Sequence, residues 1–335
     1  MWPAGAHRMA MCAKPRLLPC CSSRKPAATT PRSEGCPMAF IDSILAITDF
    51  SAPSECALDR AALLASQHGA PLRLMYFAEE PHHYLTDPVA RLAQRARQLA
   101  RRHGIRVHAL HRHPVEVGHI LEESRSSGLL VVGPQWRRNW KWFFLGTRLD
   151  QLVRESRCPV LVVRQAASRD YADVLVAVDL SPRSRELIGF ASQFAQASSV
   201  KLFHAINSVA DSRLRLADVT PEARQAWRVD SRLRARERLL QLTRTLRSPG
   251  SGVEVQVGNG DPAYQAAVEQ QASRAELVVV GMRQASTLAR LLVGSVAQRL
   301  ARWAEGDVLV VPLSRNAESA SALSPPARAP SRSCP

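Results

Sequence analysis

From Ala39 to Leu313 the chain alternates short apolar runs with longer stretches whose apolar residues recur every three or four positions. The short runs are rich in Val, Ile and Leu, the composition of strands buried on both faces. They predict strands near 42–48, 71–77, 105–110, 128–132 and 160–164, then near 173–179, 200–206, 252–257, 276–280 and 307–312. Helical patterns fill the intervals. Such alternation predicts a parallel sheet with helices on both faces, and ligands of such sheets sit at the carboxyl ends of the strands.

The pattern occurs twice. IDSILAITDFSAPSECAL from Ile41 matches DVLVAVDLSPRSREL from Asp173, GLLVVGPQW matches ELVVVGMRQ, and CPVLVVRQ matches GDVLVVPL. Gly133 and Gly281, Gly146 and Gly294, Pro114 and Pro262, and Val160 and Val308 all share one offset, whereas Asp49 and Asp179 stand closer together. The second copy therefore carries extra length before Pro262, mostly in Asp211 to Ser248 with its Arg-rich helical pattern. In each copy the first strand ends in Asp, followed by a Ser suited to a helix N-cap. The expectation is an α/β protein of two tandem domains, 39–165 and 172–313, each a five-stranded parallel sheet.

Residues 1–38 and 314–335 are rich in Pro, Ser, Ala and Arg without periodicity, and read as a disordered N-terminal extension and tail. Met38 is an alternative start. An exposed apolar edge strand invites pairing, so the last strands, Val160 to Val163 and Val308 to Val311, are expected to pair and pack the two copies as an internal pseudo-dimer. A homodimer is the alternative use of such an edge.

Composition changes this picture little. The formal net charge is +16, yet the arginines are scattered over most of the helices and no run of five like charges occurs, so nucleic acid is not the expected partner. Of the seven cysteines only Cys56 and Cys158 lie in the expected folded parts, and none of the others shows paired metal-site spacing. No apolar run reaches the roughly 20 residues of a membrane span and no secretory signal opens the chain, which gives the expectation of a cytoplasmic protein. His108, His111, His113 and His119 cluster in sequence near Glu116, and His82 adjoins His83. Without a ligand motif they read as surface histidines, and no metal is expected.

The order of strand-Asp-x-Ser, Gly260-Asp261-Pro262, a late G-x2-G-x9-G-[S/T] pattern and a CPVLVV strand, repeated in outline, resembles the universal stress protein family. The resemblance covers about 39–165 and 172–313. It implies a Rossmann-like fold, a role as stress-response regulator, and an adenine nucleotide site in which the strand-end Asp contacts adenosine and the glycine loop holds phosphates. A glycine loop entering a helix offers free N–H groups and the positive dipole end to an anion. By position the second copy supplies Asp179, Gly281, Gln284, Gly294 and Ser295 for ATP. Both copies lack the second glycine, whose place Gln284 takes in the second. The first supplies Asp49, Gly133, Trp136, Gly146 and Thr147, a degenerate set, because Trp136 stands where backbone must approach phosphate; Arg112-His113-Pro114 also replaces Gly-Asp-Pro. Asp49 and Asp179 have a second reading, as acids that favour the start of the next helix. No lysine follows either glycine loop, no G-x-S-x-G occurs, and the expectation is a non-enzyme with at most slow nucleotide hydrolysis.

The stretch GPQWRRNWKWFFLGT, Gly133 to Thr147, concentrates Trp136, Trp140, Trp142 and Phe143 among Arg137, Arg138 and Lys141. These aromatics either pack inward or make loop 134–145 a contact surface for a protein or lipid partner, since aromatics with Arg favour interfaces. In that alternative the chain is a scaffold that binds no nucleotide.

Overall fold

The computed structural model describes residues 41–78, 87–111, 116–134, 148–194, 199–207, 219–244, 253–283 and 296–313. The extension, the tail and nearly all of the Trp-rich loop lie outside these residues. The first half runs β1 (Ile44–Thr48), α1 (Ala52–His68), β2 (Leu72–Tyr76), α2 (Pro88–His103), β3 (Val107–Ala109), α3 (Val117–Ser124), β4 (Leu129–Val132), α4 (Arg148–Glu155) and β5 (Val160–Val162). The second runs β6 (Asp173–Ala177), α5 (Ser184–Ala191), β7 (Ser199–Ile206), α6 (Pro221–Thr243), β8 (Glu254–Asn259), α7 (Pro262–Ser273), β9 (Leu277–Arg283), α8 (Val296–Trp303) and β10 (Asp307–Leu313).

All ten strands form one sheet in the order β3-β2-β1-β4-β5-β10-β9-β6-β7-β8. Every neighbouring pair is parallel except β5 and β10, which run antiparallel with Val160 opposite Val310, Leu161 opposite Leu309 and Val162 opposite Val308. The expected pairing of last strands is thus the seam of the molecule. Side chains alternate across a strand, so Ile44 and Ala46 join one core layer with Leu58 of α1, Leu99 of α2, Leu187 of α5 and Leu239 of α6. Leu45 and Ile47 join the opposite layer with Ile120 of α3, Leu152 of α4, Ala266 of α7 and Leu300 of α8.

Three helix starts follow one recipe. Asp87, Thr220 and Asp261 each precede a proline, and each side chain accepts the N–H three residues on. α1 and α2 end at Gly69 and Gly104, whose left-handed backbone closes the last turn. α6 spans 23 residues against 16 for α2, which accounts for part of the second half's extra length. Among the described residues no helix is long and apolar enough to cross a membrane.

The connector between the halves is anchored on a buried carboxylate at the start of β10. Asp307 is 1% exposed. Its Oδ1 accepts the backbone N–H groups of Arg164 (2.7 Å) and Gln165 (3.2 Å), and its Oδ2 accepts the Tyr171 hydroxyl at 2.6 Å. Arg60 of α1 adds a cation 3.7 Å away, lies over the Tyr171 ring and donates to the Arg169 carbonyl at 2.7 Å. A second tie crosses the seam: Arg302 of α8 grips Asp150 of α4 with two nitrogens, Nε at 2.7 Å from Oδ1.

Tyr171→Phe removes a hydrogen bond to a buried charge and is expected to cost about 1.5–3 kcal/mol, whereas Asp307→Ala, which strands Arg60 and Tyr171, is expected to cost about 3–5 kcal/mol. Denaturant titration of each variant measures this. Burial pushes the Asp307 carboxyl above its ordinary value of 3.8, although its donors and Arg60 pull it down. The folded state then holds that proton longer than the unfolded chain. Asp307's contribution to stability is therefore full below about pH 4 and declines as pH rises through the raised value; Asp307→Asn should remove that decline.

Candidate functional site

β6 lies between β7 and β9, and the helices that follow β6 and precede β9 leave on opposite faces of the sheet. This is the switch point at which doubly wound sheets open a crevice. Here it is a cavity of about 300 Å³ at the carboxyl ends of the three strands. Most of its lining is apolar, with Leu187, Phe203, Met282 and Leu313 among the large side chains, while Asp179, Ser184 and His204 supply polar side chains. Gly281 is also in the lining: a Cβ there would stand 2.5 Å from Leu313 Cδ1 and 3.6 Å from Leu187 Cδ2, so the tip of Leu313 would have to move.

Asp179 ends up exposed at the rim. Its Oδ1 accepts the Ser181 N–H at 3.0 Å and the Ser184 hydroxyl at 3.3 Å. The intervening Leu180 is held at φ 59°, as Phe50 is held at φ 62° between Asp49 and Ser51 in the first half. A bulky residue in the left-handed region is uncommon, so in both halves the aspartate's side-chain bond fixes a turn the backbone alone would not favour. The expected Ser N-cap is not what forms. Ser51 occupies the cap position, but its hydroxyl donates to Asp49 and its oxygen caps no helix N–H. In the second half α5 begins only at Ser184, preceded by Arg183.

His204 was not singled out by the sequence. It lies near the end of β7, and its Nδ1 is 2.8 Å from the Val178 carbonyl oxygen. The available signal was a polar residue near the carboxyl end of the strand beside Asp179's strand. The Gly260-Asp261-Pro262 motif proves to be helix-starting machinery: Gly260 takes φ 128°, and Asp261 caps Tyr264 N–H at 2.9 Å. Asp261 also pairs with both terminal nitrogens of Arg299, at 2.7 and 2.5 Å. That guanidinium holds Asp261 below the usual carboxylate range.

The matching strand ends of the first half are occupied differently. Ser54 donates to the Ser51 carbonyl and so accepts from Thr48, whose oxygen accepts the Phe50 N–H, each at 2.9 Å. This chain of bonds draws the first turn of α1 down until a Cβ on Gly133 would stand 3.2 Å from the Pro53 carbonyl oxygen. Phe50 stacks on Tyr76 at 5.1 Å, and the Arg91 guanidinium lies over the Phe50 ring at 4.6 Å from its centroid. Tyr76 stands where His204 stands in the second half; burial and the nearby Asp49 carboxylate push its hydroxyl's pKa up.

Of the expected site residues, Asp179 and Gly281 therefore line one cavity, and Asp49 and Gly133 mark the corresponding place in the first half. Gln284, Gly294 and Ser295, like Trp136, Gly146 and Thr147, lie outside the described residues. β3 ends at Ala109, so the strand that would have aligned His111 with His113 does not extend that far; His113 itself lies outside the described residues. No group of three or more His, Cys, Asp or Glu suited to a metal occurs among the described residues.

The family model described as "Universal stress protein family" matches residues 41–164 and again 170–312. A universal stress protein of Mycolicibacterium smegmatis is 29% identical over 293 residues, which is 80% of this chain and 96% of that protein. Universal stress protein Rv2623 of Mycobacterium tuberculosis is 30% identical over 197 residues, 57% of this chain and 63% of that protein. Two solved structures share the fold: the functionally unknown protein PA1789 from Pseudomonas aeruginosa PAO1 has a TM-score of 0.59 at 22% identity, covering 82% of this chain and 94% of its own. A universal stress protein from Archaeoglobus fulgidus DSM 4304 has 0.55 at 18%, covering 84% and 100%. With the family's pattern matched twice over most of its length and both halves built to one topology, the chain belongs to the universal stress protein family as a tandem, two-copy member.

Proposed function

We propose that this tandem universal stress protein is a nucleotide-responsive stress regulator of the cytoplasm whose second half binds an adenine nucleotide, ATP in the first instance. The observation that carries this reading is the cavity at the β6–β9 switch point, where Asp179 and Gly281 meet. Its volume lies at the lower end of small-molecule sites, which run from about 300 to 1,000 Å³. That suits a nucleoside, with the phosphates directed toward the loop that carries Gln284, Gly294 and Ser295. Asp179 at the rim accepts hydrogen bonds from ribose hydroxyls. The apolar walls take the flat base.

The reading is one of binding rather than catalysis. No lysine follows the glycine loop to neutralise a transferring phosphoryl group. In the first half, the Thr48–Ser54 bonds and the Phe50–Tyr76 stack belong to the protein's own packing, so one nucleotide per chain is expected.

Calorimetric titration with ATP, after assay for co-purified nucleotide, tests this. One site per chain is expected. Gly281→Leu, which fills the cavity, should abolish binding, and Asp179→Asn should weaken it about tenfold or more through loss of a charged acceptor. Asp49→Asn should leave the affinity unchanged. Absence of binding, or sensitivity at Asp49 instead of Asp179, refutes the assignment.

A further inference from the structure

The polar side chains of the cavity are arranged as acceptors. An ionised carboxylate only accepts, and Ser184 spends its single proton on Asp179. His204 makes one hydrogen bond, and its partner is a carbonyl oxygen, which has no proton to give; Nδ1 must be the donor. In the neutral ring Nε2 is then a bare lone pair. It has no partner among the described residues, and His204 is one of the residues that line the cavity.

Burial separates the two acceptors. Asp179 is exposed, whereas His204 is half-buried. A planar base enters the apolar end, and the ribose stays at the rim. We propose that His204 selects the base: its Nε2 accepts a hydrogen bond from the exocyclic amino group of adenine and turns away hypoxanthine, which presents a carbonyl oxygen at the same place. This rests on the nucleotide reading above and assigns a specificity residue to that site. A site built to receive a donor rejects an analogue that lacks it, because two lone pairs are left facing each other without water.

The experiment compares ATP with inosine triphosphate, which differ at purine C6 and the adjoining ring proton, by calorimetry in one buffer. The unaltered protein is expected to prefer ATP about tenfold or more. His204→Asn places an amide N–H near the position of Nδ1, able to keep the bond to Val178, and leaves nothing at the position of Nε2. The ratio should fall toward one. His204→Gln places at the Nε2 position an amide that turns to donate or accept, and should bind both nucleotides.

A merely structural role for His204 would lower both affinities together and leave the ratio unchanged, which overturns the proposal. So does an unaltered protein that binds both nucleotides equally. If it binds neither, the assignment of the cavity to nucleotides is itself wrong and this selection falls with it. Binding of ATP with an unaltered ratio in both variants sinks the His204 assignment alone.

Discussion

The antiparallel contact of β5 with β10 is the constraint from which the rest of the molecule follows. Each half ends in an apolar strand whose outer edge would otherwise present unpaired N–H and C=O groups. Pairing them removes both edges at once and relates the halves by an approximate twofold axis. It also brings α4 and α8 side by side, where Arg302 reaches Asp150. The edges that remain are less inviting: β3 has three residues, and β8 carries the exposed Glu254, paired to Lys201 of β7 at 3.1 Å. Because the seam joins consecutive copies of one chain, the connector must cross it in a fixed path. Asp307 collects that connector by accepting N–H groups from Arg164 and Gln165 and the hydroxyl of Tyr171.

Much of this was legible in the sequence because apolar runs, strand-end aspartates and proline-marked helix starts are local signals. All ten strands appear where the pattern places them, and the seam followed from the free-edge argument. The ends of strands were read less well, since they depend on partners. β9 continues through Gly281 to Arg283 because β10 runs alongside as far as Leu313. β8 continues through Gly258, where a Cβ would stand 2.8 Å from the Phe203 ring, a close approach rather than a stop. The serine after each strand-end aspartate looked like a cap, but its backbone N–H goes to the carboxylate two residues earlier and its hydroxyl oxygen accepts no helix N–H in either half. His204 went unread because nothing in its own neighbourhood marks it; only the three-dimensional meeting of β6, β7 and β9 does.

Both halves use the same strained turn, so their difference arises one step later, in which residue follows the sheet's edge. Thr48 has a hydroxyl that ties Phe50 to Ser54, and α1 starts at Ala52. Val178 stands in its place and has no such group; Ser184 turns to Asp179, and α5 starts at Ser184 itself. The first half converts its turn into packing, with helix backbone against Gly133. In the second, the corresponding Gly281 faces only the ends of side chains, Leu313 and Leu187. The hydroxyl at the end of β1, absent at the end of β6, thus goes with a different helix start in each half without altering topology.

The strong basic balance also takes on a structural meaning. Of the 45 basic residues only Lys14, Lys25, Lys141 and Lys201 are lysines. Arg offers a planar fork of donors that a lysine ammonium lacks, and the fold uses that geometry repeatedly. Arg95 reaches Glu55 at 2.7 Å and Asp59 at 3.0 Å, Arg299 grips Asp261 with two nitrogens, and Arg73 donates to the Glu123 carbonyl and to the Ser126 and Ser127 hydroxyls. Arg60 is at once cation, hydrogen-bond donor and lid over the Tyr171 ring. These arginines join helices to helices and strands to loops within the fold. Arg60, Arg73, Arg95 and Arg299 each satisfy two or more groups at once, which the single ammonium of a lysine would not do with the same planar geometry.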